Sequence, residues 1–378
     1  MTFLRFVCNF AHPNMTRHPM SGEKLTKETL THEAILLLER LISIPRVSRN
    51  ERHATDMLQD CMCHDYGLCP MRTGNNLLCR APGFKPGRPT LLLNAHIDTV
   101  KPVSAWQRDP FTPRHEGGRL YGLGSNDDGA GLVSLLQVFR VLCTEHLPYN
   151  LLFLASAEEE VSGHEGMEHM VPLLPPITAA LVGEPTGMQP AIAEKGLMVL
   201  DVTARGKAGH AARDEGDNAI YHALDDMQWF RTWKWERVSP LLGRVKATVT
   251  ILQAGTQHNV IPDRCNFTVD VRSNELYSNE EIFRVITSHI RGEAKARSFR
   301  LNSSSIPLEH PLVQAAIALG KRPFGSPTLS DQALMPFPSM KMGPGQSSRS
   351  HTADEYVELD EIADAIDTYL RLLRRLCL

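Results

Sequence analysis

Three short, almost unbroken apolar runs constrain what this chain can fold into more than any other feature: Thr90-Leu-Leu-Leu-Asn-Ala95, Asn150-Leu-Leu-Phe-Leu-Ala155 and Ala179-Ala-Leu-Val182. They lack the polar-apolar alternation of a half-wet strand, so they read as strands covered on both faces. Apolar residues also recur at helical spacing over Thr26 to Ile44 (Leu30, Ala34, Leu37, Leu38, Leu41), a run that ends before Pro45, and Gly129 to Leu142 reads as a helix between the first two strands. Strands alternating with helices predict an α/β sheet with helices on both faces, in which ligands sit beyond the strand ends. Each run is followed by ionisable groups: His96 after the first, Glu159 and Glu160 after the second, Glu184 after the third.

At 378 residues the chain is longer than a single core usually supports, and its pattern changes midway. Leu197 to Ala204, Arg244 to Gln253 and Cys265 to Arg272 alternate at a period near two, the sign of strands with one wet face. Asn218 to Trp233 and Asn279 to Ile290 read as amphipathic helices. These predict a smaller α+β domain over residues 200–306, inserted into a mixed-sheet domain formed by residues 25–199 and 307–378. Residues 1–24 read as a disordered extension, upstream of a natural start at Met15 or Met20.

Basic and acidic residues nearly balance, 40 against 43, which gives no electrostatic reason to expect nucleic acid or a membrane as partner. A small-molecule substrate fits better, and no stretch reaches the roughly 18 to 20 apolar residues that span a bilayer. The eight cysteines lack the spacing of a disulfide scaffold, which favours a reducing cytoplasm. Cys61-Met-Cys63-His64 with Cys69 falls on a helical stretch without paired ligand spacing, so these read as buried or half-buried thiols rather than a metal site.

Five segments carry the chemistry: Asn94-Ala-His96-Ile-Asp98, Gly124-Ser-Asn-Asp127-Asp128, Ala157-Glu-Glu-Glu160, Gly183-Glu184-Pro185 and Ser350-His351-Thr352. Taken singly each is bland: a Glu run is usually a solvated face, and Asp-Asp-Gly most often opens a helix with Asp127 or Asp128 as its cap. Together they supply two imidazoles and several carboxylates, the donor set that can hold a pair of zinc-like cations bridged by one carboxylate. His96, His351, Glu160 and Glu184 are candidate ligands and Asp127 the candidate bridge. Asp98, two residues beyond His96, could fix the imidazole tautomer. Glu159 is then the candidate catalytic base.

Longer stretches around these residues resemble the metallopeptidase family that contains acetylornithine deacetylase, succinyl-diaminopimelate desuccinylase, aminoacylase and carboxypeptidase G. They are Asn94-Ala-His-Ile-Asp-Thr-Val100, Tyr121-Gly-Leu-Gly-Ser-Asn-Asp127, Ala157-Glu-Glu-Glu160, Val182-Gly-Glu-Pro-Thr186, Gly206-Lys-Ala-Gly-His210, His258-Asn-Val-Ile-Pro262 and His351-Thr-Ala-Asp-Glu355. The resemblance covers the chain from about residue 25. It implies two Zn2+ ions per subunit, with Co2+ as the alternative, one held by His96, Asp127 and Glu184 and the other by Asp127, Glu160 and His351. It also implies a homodimer through the inserted lid domain, with His210 reaching the partner's site as oxyanion donor, and Asn259 and Arg272 holding the substrate carboxylate.

Where the family usually has Asp-Glu-Glu this chain has Glu158-Glu159-Glu160, aligned here by Val161-Ser-Gly163. A shift of one would make Glu158 the base and Glu159 the ligand. Asp128 stands where the family often has a neutral or small residue. Gly122-Leu-Gly-Ser-Asn-Asp127, Glu194-Lys-Gly196 and Gly343-Pro-Gly345 are closest to N-acylornithine deacylases. The implied reaction is hydrolysis of N-acetyl- or N-succinyl-L-ornithine in arginine biosynthesis. A desuccinylase, aminoacylase or dipeptidase using the same metals is the alternative, and a metal-free binding protein of the same fold is the reading from another class.

Overall fold

The computed structural model describes residues 25–378. The extension expected over residues 1–24, and Cys8 within it, lie outside the described residues. A nine-stranded mixed sheet forms the centre of the larger unit. Its middle strands, Asn150–Ser156, Thr90–His96, Ala179–Val182 and Ser339–Lys341, run parallel to one another in that order. Every residue of the first three is buried, as their unbroken apolar character requires.

Successive residues of these strands point to opposite faces. Leu91, Leu93, Leu151, Phe153 and Leu181 pack with the helices Lys27–Ile42, Ala130–Leu142 and Leu359–Arg374 in one apolar cluster. Leu92, Leu152, Leu154, Ala180 and Val182 pack on the other face with Met167 and Met170 of the helix Met167–Met170. Thr26 caps the first helix by accepting the Thr29 N–H at 3.2 Å.

After Ala191–Glu194 the chain leaves the large sheet and returns to it at Ser304–Ser305, Phe324–Ser326 and Ser339–Lys341. Between them stands a second, α+β unit, an antiparallel sheet in the order Lys246–Ala254, Arg264–Arg272, Met198–Arg205, Glu293–Ala296. The helices Ala219–Thr232 and Asn279–His289 cover one of its faces. Its own core includes Leu200, Val202, Phe230, Phe267, Val269, Ile282 and Ile286. The period-two alternation holds in Met198–Arg205 but fails at the end of Lys246–Ala254. That strand lies at the sheet edge, slips register between Val249 and Ile251, and leaves Ile251 and Leu252 about half exposed.

Candidate active site

Parallel pairing gathers the site. His96 stands opposite Ser156, and Asn94 and Lys341 both stand opposite Val182, so the segments that follow all leave the same edge of the sheet. That edge delivers His96, Glu159, Glu160 and Glu184 from three strand ends. Asp127 comes from the irregular Ser125–Gly129 turn, where Asp127 has extended rather than helical backbone and Gly129, not an aspartate, caps the following helix. His351 is brought in by a small three-stranded sheet in which Tyr356 pairs with Tyr121. Gly124, just before the turn, has φ +71°, and a Cβ there would meet the Arg46 guanidinium and Thr99 at 2.5 Å.

His96 Nε2 lies 3.1 Å from Asp127 Oδ1, 3.5 Å from Glu184 Oε1 and 3.8 Å from Glu159 Oε2. His351 Nε2 lies 2.8 Å from Glu160 Oε2 and 3.7 Å from Asp127 Oδ2. Donor atoms of His96, Glu159 and Glu184 fall within 4.8 Å of one another, as do those of His96, Asp127 and Glu160. A cavity of about 270 Å³ opens over this cluster, lined by Asp127, Glu159, Glu160, Glu184 and His351 together with Thr328, Leu329, Ser347 and Ser350.

The Asp98 carboxylate stands beside His96, as the sequence suggests, and makes further contacts. His96 Nδ1 is closer to the Asp98 backbone carbonyl (3.0 Å) than to its carboxylate (3.5 Å). The carboxylate also accepts the backbone N–H groups of Glu159 (3.0 Å) and Glu160 (3.2 Å) and the Ser48 hydroxyl (2.6 Å). It thereby fixes the turn that presents both glutamates. Glu158 turns away: its carboxylate lies 3.9 Å from Arg49 Nε and against Gly163.

So many acids at one buried point repel their own protons' departure. Burial pushes the Glu159 and Glu184 carboxyls well above the usual range, and repulsion by Glu184 on the first and Asp127 on the second adds to it. Burial raises Glu160 as well, and it pushes Asp128, neither of whose oxygens has a hydrogen-bond partner, well above the usual range. Burial opposes the charge on Asp127 too, but the hydrogen bond and charge of His96, with Ser350 and His351, together outweigh it and hold the carboxyl low. The Glu160 hydrogen bond lifts His351 to about 9. A site that holds this many carboxylates beside two imidazoles is short of positive charge. The oxygen and imidazole donors fit a pair of divalent cations both in charge and in type.

Some predicted residues lie elsewhere. His210 is exposed in the strand pair Gly209–His210 with Val260–Ile261 of the second unit, accepts the Ala212 N–H at 3.1 Å and does not line the cavity. Asn259 is exposed beside it, its carbonyl accepting the Ala211 N–H at 3.0 Å. Arg272 ends the Arg264–Arg272 strand with its guanidinium on Asp270 at 2.9 and 3.2 Å, apart from the cluster.

Four buried residues given no role by the sequence stand around the cluster. Glu355 is buried, and its carboxylate accepts the backbone N–H groups of Gly124 (3.0 Å), Asn126 (2.9 Å) and Asp127 (2.9 Å), so it holds the Asp127 turn. Burial pushes Glu355 to about 7 despite those three bonds. Asp331, raised to about 6 by burial, accepts the Ser156 hydroxyl at 2.6 Å beneath the site. Arg46 and Lys341 are buried as well, and Arg46 donates to the carbonyls of Ile97 and Gly124. Only Glu355 had a signal in the sequence, its place four residues after His351 in a motif already singled out.

The description of peptidase family M20/M25/M40 matches residues 92–375. Similar proteins include the succinyl-diaminopimelate desuccinylase of Corynebacterium glutamicum, 29% identical over 367 residues, with 91% of this chain and 97% of that protein aligned. The acetylornithine deacetylase of Pectobacterium carotovorum is 26% identical over 328 residues, spanning 80% of this chain and 83% of its own. Among solved structures, aminopeptidase PepT of Bacillus cereus shares the fold with a TM-score of 0.73 at 20% identity, covering 92% of this chain and 98% of its own. A dinuclear metal-binding M20 peptidase of Bacillus subtilis does so with a TM-score of 0.68 at 16% identity, covering 92% and 98%.

Proposed function

The chain belongs to peptidase family M20/M25/M40 and is a hydrolase of that family, and we propose that it cleaves the amide of an N-acyl amino acid, N-acetyl- or N-succinyl-L-ornithine, releasing ornithine and a carboxylate. The observation that carries this reading is the convergence of His96, Asp127, Glu159, Glu160, Glu184 and His351 on one cavity at the strand ends. His96, Asp127 and Glu184 would hold one divalent cation and Asp127, Glu160 and His351 the other, zinc or cobalt. Bound there, the cations would supply Lewis acidity and make water easier to deprotonate. Glu159 takes the proton of the attacking water and delivers it to the leaving nitrogen. Asp98 keeps Glu159 and Glu160 aimed through their backbone N–H groups.

A second reading is supported by the Corynebacterium relative: removal of succinate from N-succinyl-diaminopimelate. Assay of N-acetylornithine, N-succinylornithine, N-succinyl-diaminopimelate and simple dipeptides, each with zinc or cobalt, separates the two. Highest kcat/KM on an acylornithine is the expected result. Preference for the succinylated diamino acid moves the assignment to the second reading, and preference for dipeptides rejects both.

The assembly in this proposal is a homodimer through the second unit. The edge strand Lys246–Ala254 pairs on one side only and exposes Ile251 and Leu252, while Tyr221 (67%) and Leu224 (51%) stand exposed on the helix Ala219–Thr232. An open, apolar strand edge invites a second copy. His210 then acts in the partner's cavity, which accounts for its distance from its own. His210→Ala lowers kcat with folding intact. Mixed with the inactive Glu159→Ala chain under subunit exchange, it gains activity toward about a quarter of the wild-type level, because half of random dimers are mixed and each holds one complete site. No recovery in a demonstrated mixed dimer counts against the cross-subunit role.

A further inference from the structure

We propose that the buried Lys341–Glu194 ion pair is a positioning device that clamps the Pro327–Asp331 loop over the cavity and so sets how tightly substrate is held against Thr328 and Leu329. Lys341 ends its strand between Ala179–Val182 and Ala191–Glu194, and Glu194 ends the last of these. Their side chains meet at 3.2 Å, exposed by only 2% and 1%. The remaining bonds of the pair go to one loop. Lys341 Nζ donates to the Thr328 carbonyl (3.3 Å) and hydroxyl (3.1 Å). Glu194 accepts the Ser330 N–H (3.2 Å) and hydroxyl (2.7 Å).

A buried ion pair is no strong source of stability, because desolvation offsets most of its attraction, so its value lies in what it orients. Here that is a wall of the cavity: Thr328 and Leu329 line it, and Asp331 follows directly. The candidate ligands and base all come from other segments. Burial works against the Lys341 charge, but the carboxylates of Glu194, Glu184 and Glu159 together outweigh it and favour the ammonium. Loosening the loop therefore changes substrate binding while leaving the reacting groups in place, and this reasoning rests on the hydrolase reading above.

The test compares Lys341→Met, the double variant Lys341→Met/Glu194→Gln, which leaves no buried lone charge, and the milder Ser330→Ala. Each is loaded with zinc and assayed on the acyl-substrate panel, with hydrogen exchange followed over residues 327–335. The expected result for the two Lys341 variants is a KM raised about tenfold on the best wild-type substrate, with kcat within about threefold, since misplaced binding groups act on positioning first. The ranking of acetyl against succinyl substrates should change, and the loop amides should exchange at least about tenfold faster. Ser330→Ala should show the same pattern at smaller size, and it remains informative if the Lys341 variants do not fold. Unchanged KM and unchanged exchange in a folded variant overturn the proposal. A fall in kcat with lost zinc and unaltered exchange also overturns it, by making Lys341 an electrostatic support of Glu184. If the wild type cleaves none of the panel, the proposed substrate class fails, and the exchange measurement still decides on the clamp.

Discussion

Glu159→Ala abolishes turnover while the chain keeps the metal content of the wild type. A positioned general base contributes roughly 10²- to 10⁴-fold, and a group that both takes and returns the proton stands at the upper end, so we expect kcat to fall by about 10³ or more. Metal should stay because His96, Asp127, Glu160, Glu184 and His351 remain within reach of one another. The competing outcome is concrete, since Glu159 Oε2 lies 3.8 Å from His96 Nε2 and groups with Glu184 as closely as a ligand would. Parallel measurement of kcat and of zinc by atomic spectroscopy separates the two. Loss of zinc along with activity makes Glu159 a ligand, and retained activity removes it from the chemistry. Glu158→Ala is the companion control. Its carboxylate faces Arg49 rather than the cavity, so turnover should stay within about threefold, as for a change that touches no reacting group. A collapse there instead would restore the shifted register, with Glu158 as base.

Much of this site was legible because strand ends are legible. The runs before His96, Glu159 and Glu184 are buried on both faces, and a residue that must be apolar on both faces leaves an unbroken mark in the sequence. Once three strands are known to run parallel, their C-terminal ends share one edge, so the convergence of ligands follows from topology. What the sequence could not show is what holds the ligands still. Asp98 lies beside His96, and proximity suggested that its carboxylate serves the imidazole. In the fold that carboxylate lies 3.5 Å from the imidazole and also reaches across to the Glu159 and Glu160 amides 61 and 62 positions away. Backbone N–H groups are present at every residue and carry no sequence signature, so contacts to them are invisible until the chain is folded. The charged strand Glu293–Ala296 escaped for a related reason: it lies at the second sheet's other edge and half faces water, so no apolar pattern marks it. The exposed end of Lys246–Ala254 likewise breaks the alternation that a covered strand would keep.

Glu355 is the sharpest instance, and its replacement is the second large effect. The carboxylate accepts three consecutive-turn amides, Gly124 through Oε2 and Asn126 and Asp127 through Oε1, and these bonds fix the direction in which Asp127 leaves the turn. Glu355→Ala leaves three buried N–H groups without acceptors while removing no ligand. Loss of a partner that orients metal ligands typically costs about 10- to 100-fold in metal affinity, and the bridge is the ligand both cations share, so we expect the upper half of that range. Competition with a chelator of known affinity measures it, and activity should recover in part as zinc is added in excess. Glu355→Gln is the graded case. Its remaining carbonyl oxygen can still serve the Asn126 and Asp127 amides, but its NH2 opposes the Gly124 N–H, so its zinc affinity should fall between wild type and Glu355→Ala. Equal zinc affinity in all three proteins would confine Glu355 to packing, and would mean that the Asp127 turn is held by the Arg46 contact with the Gly124 carbonyl instead.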